Sequence, residues 1–580
     1  MRPVLFSVLW ACAACSTVRP AWSIEHPLDE TRRTTTEGDV VGGAGKKGGF
    51  AWLGIPFARP PVGPLRWRPP QPPEAHSGVL AATRFAHACV QPQNFLTINE
   101  PVHDGVFGDE DCLYLDVWAP PNAESLPVMV WIHGGGNSLG SAAGFDLSSF
   151  AVKERVVMVS VQYRLGPLGW LSHPALQDSD DASGNYGTLD LVRALEWVRD
   201  NAKAFGGDSG NVTIFGESAG GTNTYSLLLS PKAKGLFHRA IAQSPFLSRI
   251  SLQAAQGFIE EHGHPNSSNE VLLRVLIQRG ARDRADAKEK LKLMPPEAIA
   301  ALLRGLSAAQ LMTLYREGAP PIASQLDMPM LFPDGAVLPS ISWFEAFARE
   351  DGWNRVPVII GSNHDEAKLF QIFDPRYVWM LFGFLPRIRD DERYEATADH
   401  ITRLWRGWCV DAVAQAMRSS GATDVWSYRF DWAHQPRVLG TDVAKLAGAA
   451  HGFEIPFVHG DFDAQQLYGG PDNAGRDALS AKMMDFWGAF ARVGRPGDAW
   501  SRYDVSSADA PKFLVFDTPL ERVKMSSGVE DPEAALKGLL GDPRSDWAEK
   551  CDGLTKLVGM GFVAADRATE VTECSGAAVK

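Results

Sequence analysis

The chain has 580 residues, 45% of them hydrophobic and 10% aromatic, with a net charge of −13 and an isoelectric point near 5.6. This is enough apolar material for a sizeable core. No run of Lys and Arg builds a basic patch, which excludes a nucleic-acid-binding role. The acidity implies solubility and a mild bias against anionic substrates.

In chain order, residues 1–23 read as a signal peptide. Arg2 precedes the short apolar run PVLFSVLWACAAC, and Ala21-Trp22-Ser23 fits a small-x-small cleavage site, leaving Ile24 first in the mature chain. A secreted or periplasmic location follows. The run is too short to cross a bilayer, and no later segment reaches that length. A rival reading is a lipoprotein acylated on Cys12 or Cys15. Residues 25–49 are polar and glycine-rich, a loose entry to the first strands.

The apolar run 128–132 reads as a buried strand ending in His133-Gly134-Gly135-Gly136. Consecutive glycines allow backbone N–H groups to converge on one point, as a developing oxyanion requires. Gly135 and Gly136 are the expected donors. Next, VTIFGESAGGTNTYSLLLS runs from strand to helix through Gly216-Glu217-Ser218-Ala219-Gly220. Glycines on both sides of a serine permit a sharp turn that holds the hydroxyl proud of the sheet, the nucleophile elbow of an α/β-hydrolase. Ala219 supplies the third oxyanion N–H. The expected fold is therefore α/β, a large mostly parallel sheet flanked by helices, with insertions around an active-site gorge.

Residues 250–315 carry helical patterning with many charges and read as an insertion beside the gorge. The string VPVIIGSNHDEAKLF places Asp365-Glu366 just beyond an apolar strand. The apolar stretch 377–386 reads as helix packing at the gorge wall, and GAAHGFEIPFVHG sets His451 in a glycine-flanked loop. A serine needs a base, and the base needs an orienting carboxylate. The order Ser218, Glu366, His451 is that of an α/β-hydrolase. On spacing alone Asp365 competes with Glu366, and His364 and His459 compete with His451. No His/Cys cluster has metal-ligand spacing, and neither metal nor cofactor is expected.

The strings GIPFARPPVGPLRW, EDCLYLDVWAP, WIHGGGNSLGS, VQYRLGPLGWL, the run from Gly184 to Gly221, GSNHDEAKLF and HGFEIPF stand in order over roughly residues 50 to 555. Through them the chain resembles the type-B carboxylesterase and cholinesterase family. The resemblance implies Glu366 as the acid and His451 as the base. It implies that Glu217 tunes the site electrostatically and that Ser244 is hydrogen-bonded near the acid. Asn137 stands where many members carry an aromatic; it is expected to face the gorge and offer a polar contact there. Ala367 replaces a usual glycine. The loop between Cys89 and Cys112 lacks the tryptophan with which cholinesterases bind quaternary ammonium, leaving only Phe95 or Phe107. The chain is closer to general carboxylesterases.

Of seven cysteines, five follow the signal. The resemblance implies a Cys89–Cys112 disulfide and a second bridge, Cys409–Cys551. Cys574 is left free, joined to Cys551, or linking two chains as a homodimer. The whole implies one hydrolase domain over 24–580, with 530–580 a C-terminal extension. The expected function is secreted serine carboxylesterase on small-molecule esters. The alternatives are a specialised hydrolase of a lipid, toxin, carbamate or polyester ester bond, and a non-catalytic binding protein.

Overall fold

A computed structural model describes residues 22–93, 102, 104–177, 183–247, 250–316, 326–462, 468–469, 473–544 and 550. Residues 1–21 of the signal segment, with Cys12 and Cys15, and also Phe95, Cys551 and Cys574 lie outside the described residues.

An eleven-stranded sheet organises the chain. Its strands are β1 (Gly43–Ala44), β2 (Phe50–Pro56), β3 (Tyr114–Ala119), β4 (Leu126–Ile132), β5 (Val157–Val161), β6 (Gly207–Glu217), β7 (Arg239–Gln243), β8 (Val358–Asn363), β9 (Val425–Phe430), β10 (Phe513–Phe516) and β11 (Met525–Ser526). They lie in the order β11-β10-β9-β8-β7-β6-β4-β5-β3-β2-β1. The run from β5 to β10 is parallel, and β1, β2, β3 and β11 add antiparallel edges.

The central strands are apolar on both sides because both faces are covered. All five residues of β5 and all six of β8 are buried. Alternation divides them between two cores. Val128, Val130 and Ile132 join the core that includes Tyr225 and Leu227 of one helix; Met129 and Trp131 join the core with Met483, Trp487 and Phe490 of another. Helix α1 (Tyr186–Asn201) and α2 (Ala219–Leu229) belong to the first face, and α4 (Asn473–Val493) to the second. Between them in sequence comes α3 (Asp391–Arg406).

Register decides where chemistry can collect. Gly216 of β6 pairs with Ile132 of β4, Glu217 with Gln243 of β7, and Gln243 with Gly361 of β8. The carboxyl ends of these strands therefore stand level. The loops that follow carry His133–Gly136, Ser218, Ser244 and Glu366 to one rim, the usual place for a site in a parallel sheet.

The charged insertion forms helices Ser268–Gln278, Arg284–Leu293, Pro296–Arg304 and Ala308–Arg316. Two expectations change. The segment 25–49 is not loose: Arg33–Thr35 and Gly38–Val41 form a small sheet with Val79–Ala81. The stretch 377–386 is a β-hairpin, not a helix, with Val378–Leu381 antiparallel to Leu385–Ile388. A short apolar run does not announce its period, and the aromatic and β-branched residues here favour the strand. Among the described residues no single helix is long and apolar enough to cross a membrane.

Candidate active site

Ser218 lies between β6 and α2 with φ 59° and ψ −122°, a strained conformation for a residue with a side chain. The strain is held by close packing. A Cβ on Gly220 would stand 2.0 Å from the Ile132 carbonyl oxygen, and one on Gly216 would stand 2.6 Å from it. Ser218 N–H donates to the Gln243 carbonyl at 2.9 Å, fixing the turn to β7.

Glu366 is fully buried just past β8. Its Oε1 accepts from the Asn363 N–H at 2.7 Å, and its Oε2 lies 2.6 Å from His451 Nδ1. His451 reaches this place because Asp365 anchors its loop, accepting from Ala449 N–H at 2.9 Å while donating its own N–H to the Ala449 carbonyl. The imidazole is walled by Trp405 and Phe370, with ring centroids 4.8 and 5.6 Å away. Glu217 Oε1 lies 3.3 Å from His451 Nε2.

The competing residues are elsewhere. His364 has a half-exposed side chain 3.4 Å from Asp365. His459 is buried in the opposite core against Trp131 and Phe145, at 4.5 and 5.3 Å. Asp365 is engaged with Lys368 at 3.2 Å.

The glycine strap lies on the elbow. A Cβ on Gly134 would approach Ser218 Cβ to 3.0 Å. Gly135 and Gly136 have φ of 110° and 61°. Ala219 opens α2, where the first N–H groups have no partner within the helix. Three N–H groups thus belong to segments in contact beside one hydroxyl. Among the described residues no group of three His, Cys, Asp or Glu side chains is placed to hold a metal.

The profile of the carboxylesterase family matches residues 29–381 and 377–534. The chain belongs to the carboxylesterase family. It is a carboxylic ester hydrolase, and these relatives are carboxylesterases rather than cholinesterases. It is 32% identical over 505 residues to para-nitrobenzyl esterase of Bacillus subtilis (strain 168), covering 84% of this chain and 95% of that one. It is 34% identical to the cocaine esterase of Homo sapiens (80% and 84% covered) and to the fumonisin B1 esterase of Sphingopyxis macrogoltabida (81% and 84%). A solved PNB esterase superimposes with a TM-score of 0.64 at 28% identity, covering 88% of this chain and 99% of the other. Carboxylesterase EST55 of Geobacillus stearothermophilus gives 0.62 at 30% identity, covering 87% and 99%.

In this esterase several expected features differ from the sequence reading. Asn137, expected to offer the gorge a polar contact, is fully buried at φ 54° with its Oδ1 engaged, accepting from Asn223 Nδ2 of α2 at 2.9 Å. Ser244 is fully buried at φ 45° with its N–H on the Gly361 carbonyl; among the described residues its hydroxyl has no partner, so it does not bond near the acid.

Cys89 and Cys112 are bridged. Cys409 is not: it is a free, fully buried thiol in the π-helical turn Gly407–Asp411, whose carbonyl accepts from the Tyr225 hydroxyl at 2.7 Å. Cys551, the partner expected for it, lies outside the described residues.

Sequence reasoning passed over several site residues. Glu454, three positions after His451, is fully buried beside the pair. It accepts from Asn363 Nδ2 at 2.6 Å and Gln243 Nε2 at 3.2 Å, and Trp487 Nε1 donates to Gln243 at 3.2 Å. Burial pushes its carboxyl up to about 7, with the Glu366 charge adding to the shift. Glu454 was visible inside the HGFEIPF string. His133 was likewise in view. It stacks on Tyr163 at 4.5 Å, its Nδ1 bonds the Gly134 carbonyl at 2.9 Å, and burial lowers its pKa to about 4.

Proposed function

We propose that the protein is an exported serine carboxylesterase acting through an acyl-enzyme. The observation that carries this reading is the 2.6 Å pairing of Glu366 with His451 at the rim where the elbow presents Ser218. Ser218 Oγ attacks the ester carbonyl carbon as His451 Nε2 accepts its proton. Glu366 holds the imidazole tautomer and stabilises its charged form. The N–H groups of Gly135, Gly136 and Ala219 receive the oxyanion, an interaction worth a few kcal/mol per donor (about 2.7–4 in a comparable case). His451 then protonates the leaving alcohol, and the carbonyl–oxygen bond to it breaks. Water gives a proton to His451, attacks the acyl carbon and releases the acid.

The relatives' names span para-nitrobenzyl, cocaine and fumonisin B1 esters. Family membership therefore leaves the acyl and alcohol groups open, and the aromatic wall of Trp405 and Phe370 favours an apolar group beside His451. Residues 1–23 serve as the export signal, and 24–580 as one hydrolase domain. A Cys574-linked homodimer belongs to the same proposal; acylation at Cys12 or Cys15 is its rival, because cleavage after Ser23 removes both cysteines.

Hydrolysis of p-nitrophenyl esters from acetate to palmitate, with Ser218→Ala as control, tests the reading. Turnover lost in the variant supports it, and the chain-length optimum sizes the acyl pocket. A folded protein with no turnover on any ester, or a Ser218→Ala variant that keeps turnover, overturns it.

A further inference from the structure

Residues 375–389 read PRYVWMLFGFLPRIR, with three arginines and no acidic residue in a chain of net charge −13. They include the hairpin that sequence periodicity takes for a helix. Its tip is Phe382-Gly383-Phe384. Phe382 is 79% exposed and holds φ 55°, a conformation bulky L residues rarely adopt. Trp379, itself exposed, stands directly across the ladder from Arg387.

Arg387 ties this hairpin to a second one, Arg437–Val438 with Thr441–Asp442. Its guanidinium donates to the Thr441 hydroxyl and to the Leu439 carbonyl at 3.5 Å. Leu439, at the second tip, is 63% exposed. Arg389 Nε donates to the Pro375 carbonyl at 2.7 Å. The partners of both guanidinium groups are thus neutral oxygens. The acids nearby are engaged: Asp374 pairs with Arg376, Asp391 with Lys445, Asp442 with Arg437, and Asp390 caps α3.

We propose that this double hairpin docks the protein on an anionic lipid surface. Phe382, Trp379 and Leu439 enter the acyl boundary, and Arg387 and Arg389 meet the headgroup phosphates. The spacing fits that occupant. Arg387 lies three residues behind Phe384, roughly 10 Å along an extended strand, against a typical insertion depth of about 5–10 Å. Rings outermost with guanidinium groups behind them match the order of acyl boundary and phosphate. The first hairpin follows Phe370, whose ring lies 5.6 Å from His451, and the second leads through the short helix Val443–Ala447 to His451 itself. A docked molecule would therefore hold its site next to lipid-borne ester.

Vesicle flotation with Ser218→Ala protein tests docking independently of the esterase reading, since no turnover is needed. Phosphatidylcholine vesicles are compared with vesicles of phosphatidylcholine and phosphatidylserine. Ser218→Ala protein should float with the anionic vesicles, and more weakly with the neutral ones. Adding Phe382→Ser and Leu439→Ser should cut binding about tenfold or more. Arg389→Gln should weaken binding to anionic vesicles only. Circular dichroism checks that each variant is folded. No flotation, equal flotation by the Phe382→Ser and Leu439→Ser variant, or Phe382-dependent self-association without vesicle binding each overturns the proposal.

Discussion

Glu217 Oε1 lies 3.3 Å from His451 Nε2, on the opposite edge of the imidazole from Glu366. Burial holds the Glu217 carboxyl well above the usual range. Burial would also lower His451, but the charges of Glu217 and Glu366 outweigh it and raise the ring to about 9. A protonated Glu217 leaves His451 neutral and able to act as a base; a charged Glu217 leaves it as imidazolium.

Glu217→Gln removes the charge that favours imidazolium. A base works only in its neutral form, so activity rises as pH passes upward through the histidine pKa. With Glu217 neutralised that pKa falls, and the acid limb of kcat/KM should move to lower pH by about one unit or more. A pH profile on a p-nitrophenyl ester reads the shift. An unmoved limb would show that Glu217 does not set the protonation of His451.

The Asn137–Asn223 bond joins the glycine strap to the helix that begins at the nucleophile. Asn223→Ala leaves Asn137 Oδ1 buried without its donor, a cost of about 1–3 kcal/mol, and frees the strap to shift. Donors aimed at a developing oxyanion act on kcat, so kcat should fall about 10- to 100-fold with KM changed less than about threefold. Affinity for a trifluoromethyl ketone, whose adduct carries the same oxyanion, should fall in parallel. A lowered Tm with kcat and inhibitor affinity intact would reduce the bond to a structural one.

The elbow and the strap were legible because their geometry admits few residues: a Cβ on Gly220 meets the Ile132 carbonyl at 2.0 Å. Contact between Glu366 and His451 was not legible from spacing. It depends on the level ends of parallel strands and on Asp365 gripping Ala449, neither of which is local. The same applies to His459, which looks equivalent in sequence and lies across the sheet. The expectation for Asn137 came with the resemblance, and its bond to Asn223 joins residues far apart in sequence, which spacing does not show. The pairing of Cys409 came from resemblance, and spacing does not show that a π-turn carries this thiol into the core.

Burial raises the Cys409 thiol well above its ordinary value, so the native protein holds almost no thiolate there. Thiolate is the reactive form. Iodoacetamide should leave Cys409 unmodified in the native protein and alkylate it in urea, as read by peptide mass mapping without reductant. Alkylation at a similar rate in both states, or a mapped Cys409–Cys551 peptide, would contradict the buried-thiol placement.

His133 and Asp116 should bend the pH dependence of stability in opposite directions. For His133 the folded pKa is lowered from 6.5 to about 4 by burial. Below 6.5 the unfolded chain takes a proton that the native ring refuses until about 4, so stability from this group is lost as pH falls through that window, by about 3 kcal/mol. Asp116 is buried with Oδ1 accepting the Gly54 N–H at 2.8 Å, and burial raises it from 3.8 to about 7. The unfolded chain releases that proton near 4 while the native state keeps it, so stability from Asp116 is lost as pH rises toward 7. Denaturant unfolding between pH 4 and 6.5 separates the two. The advantage of the unmodified chain over His133→Gln should grow with pH by about 3 kcal/mol, and its advantage over Asp116→Asn should shrink by a similar amount. Groups common to the proteins cancel in each difference. A difference that stays constant with pH would mean that the group in question titrates alike in the folded and unfolded chain.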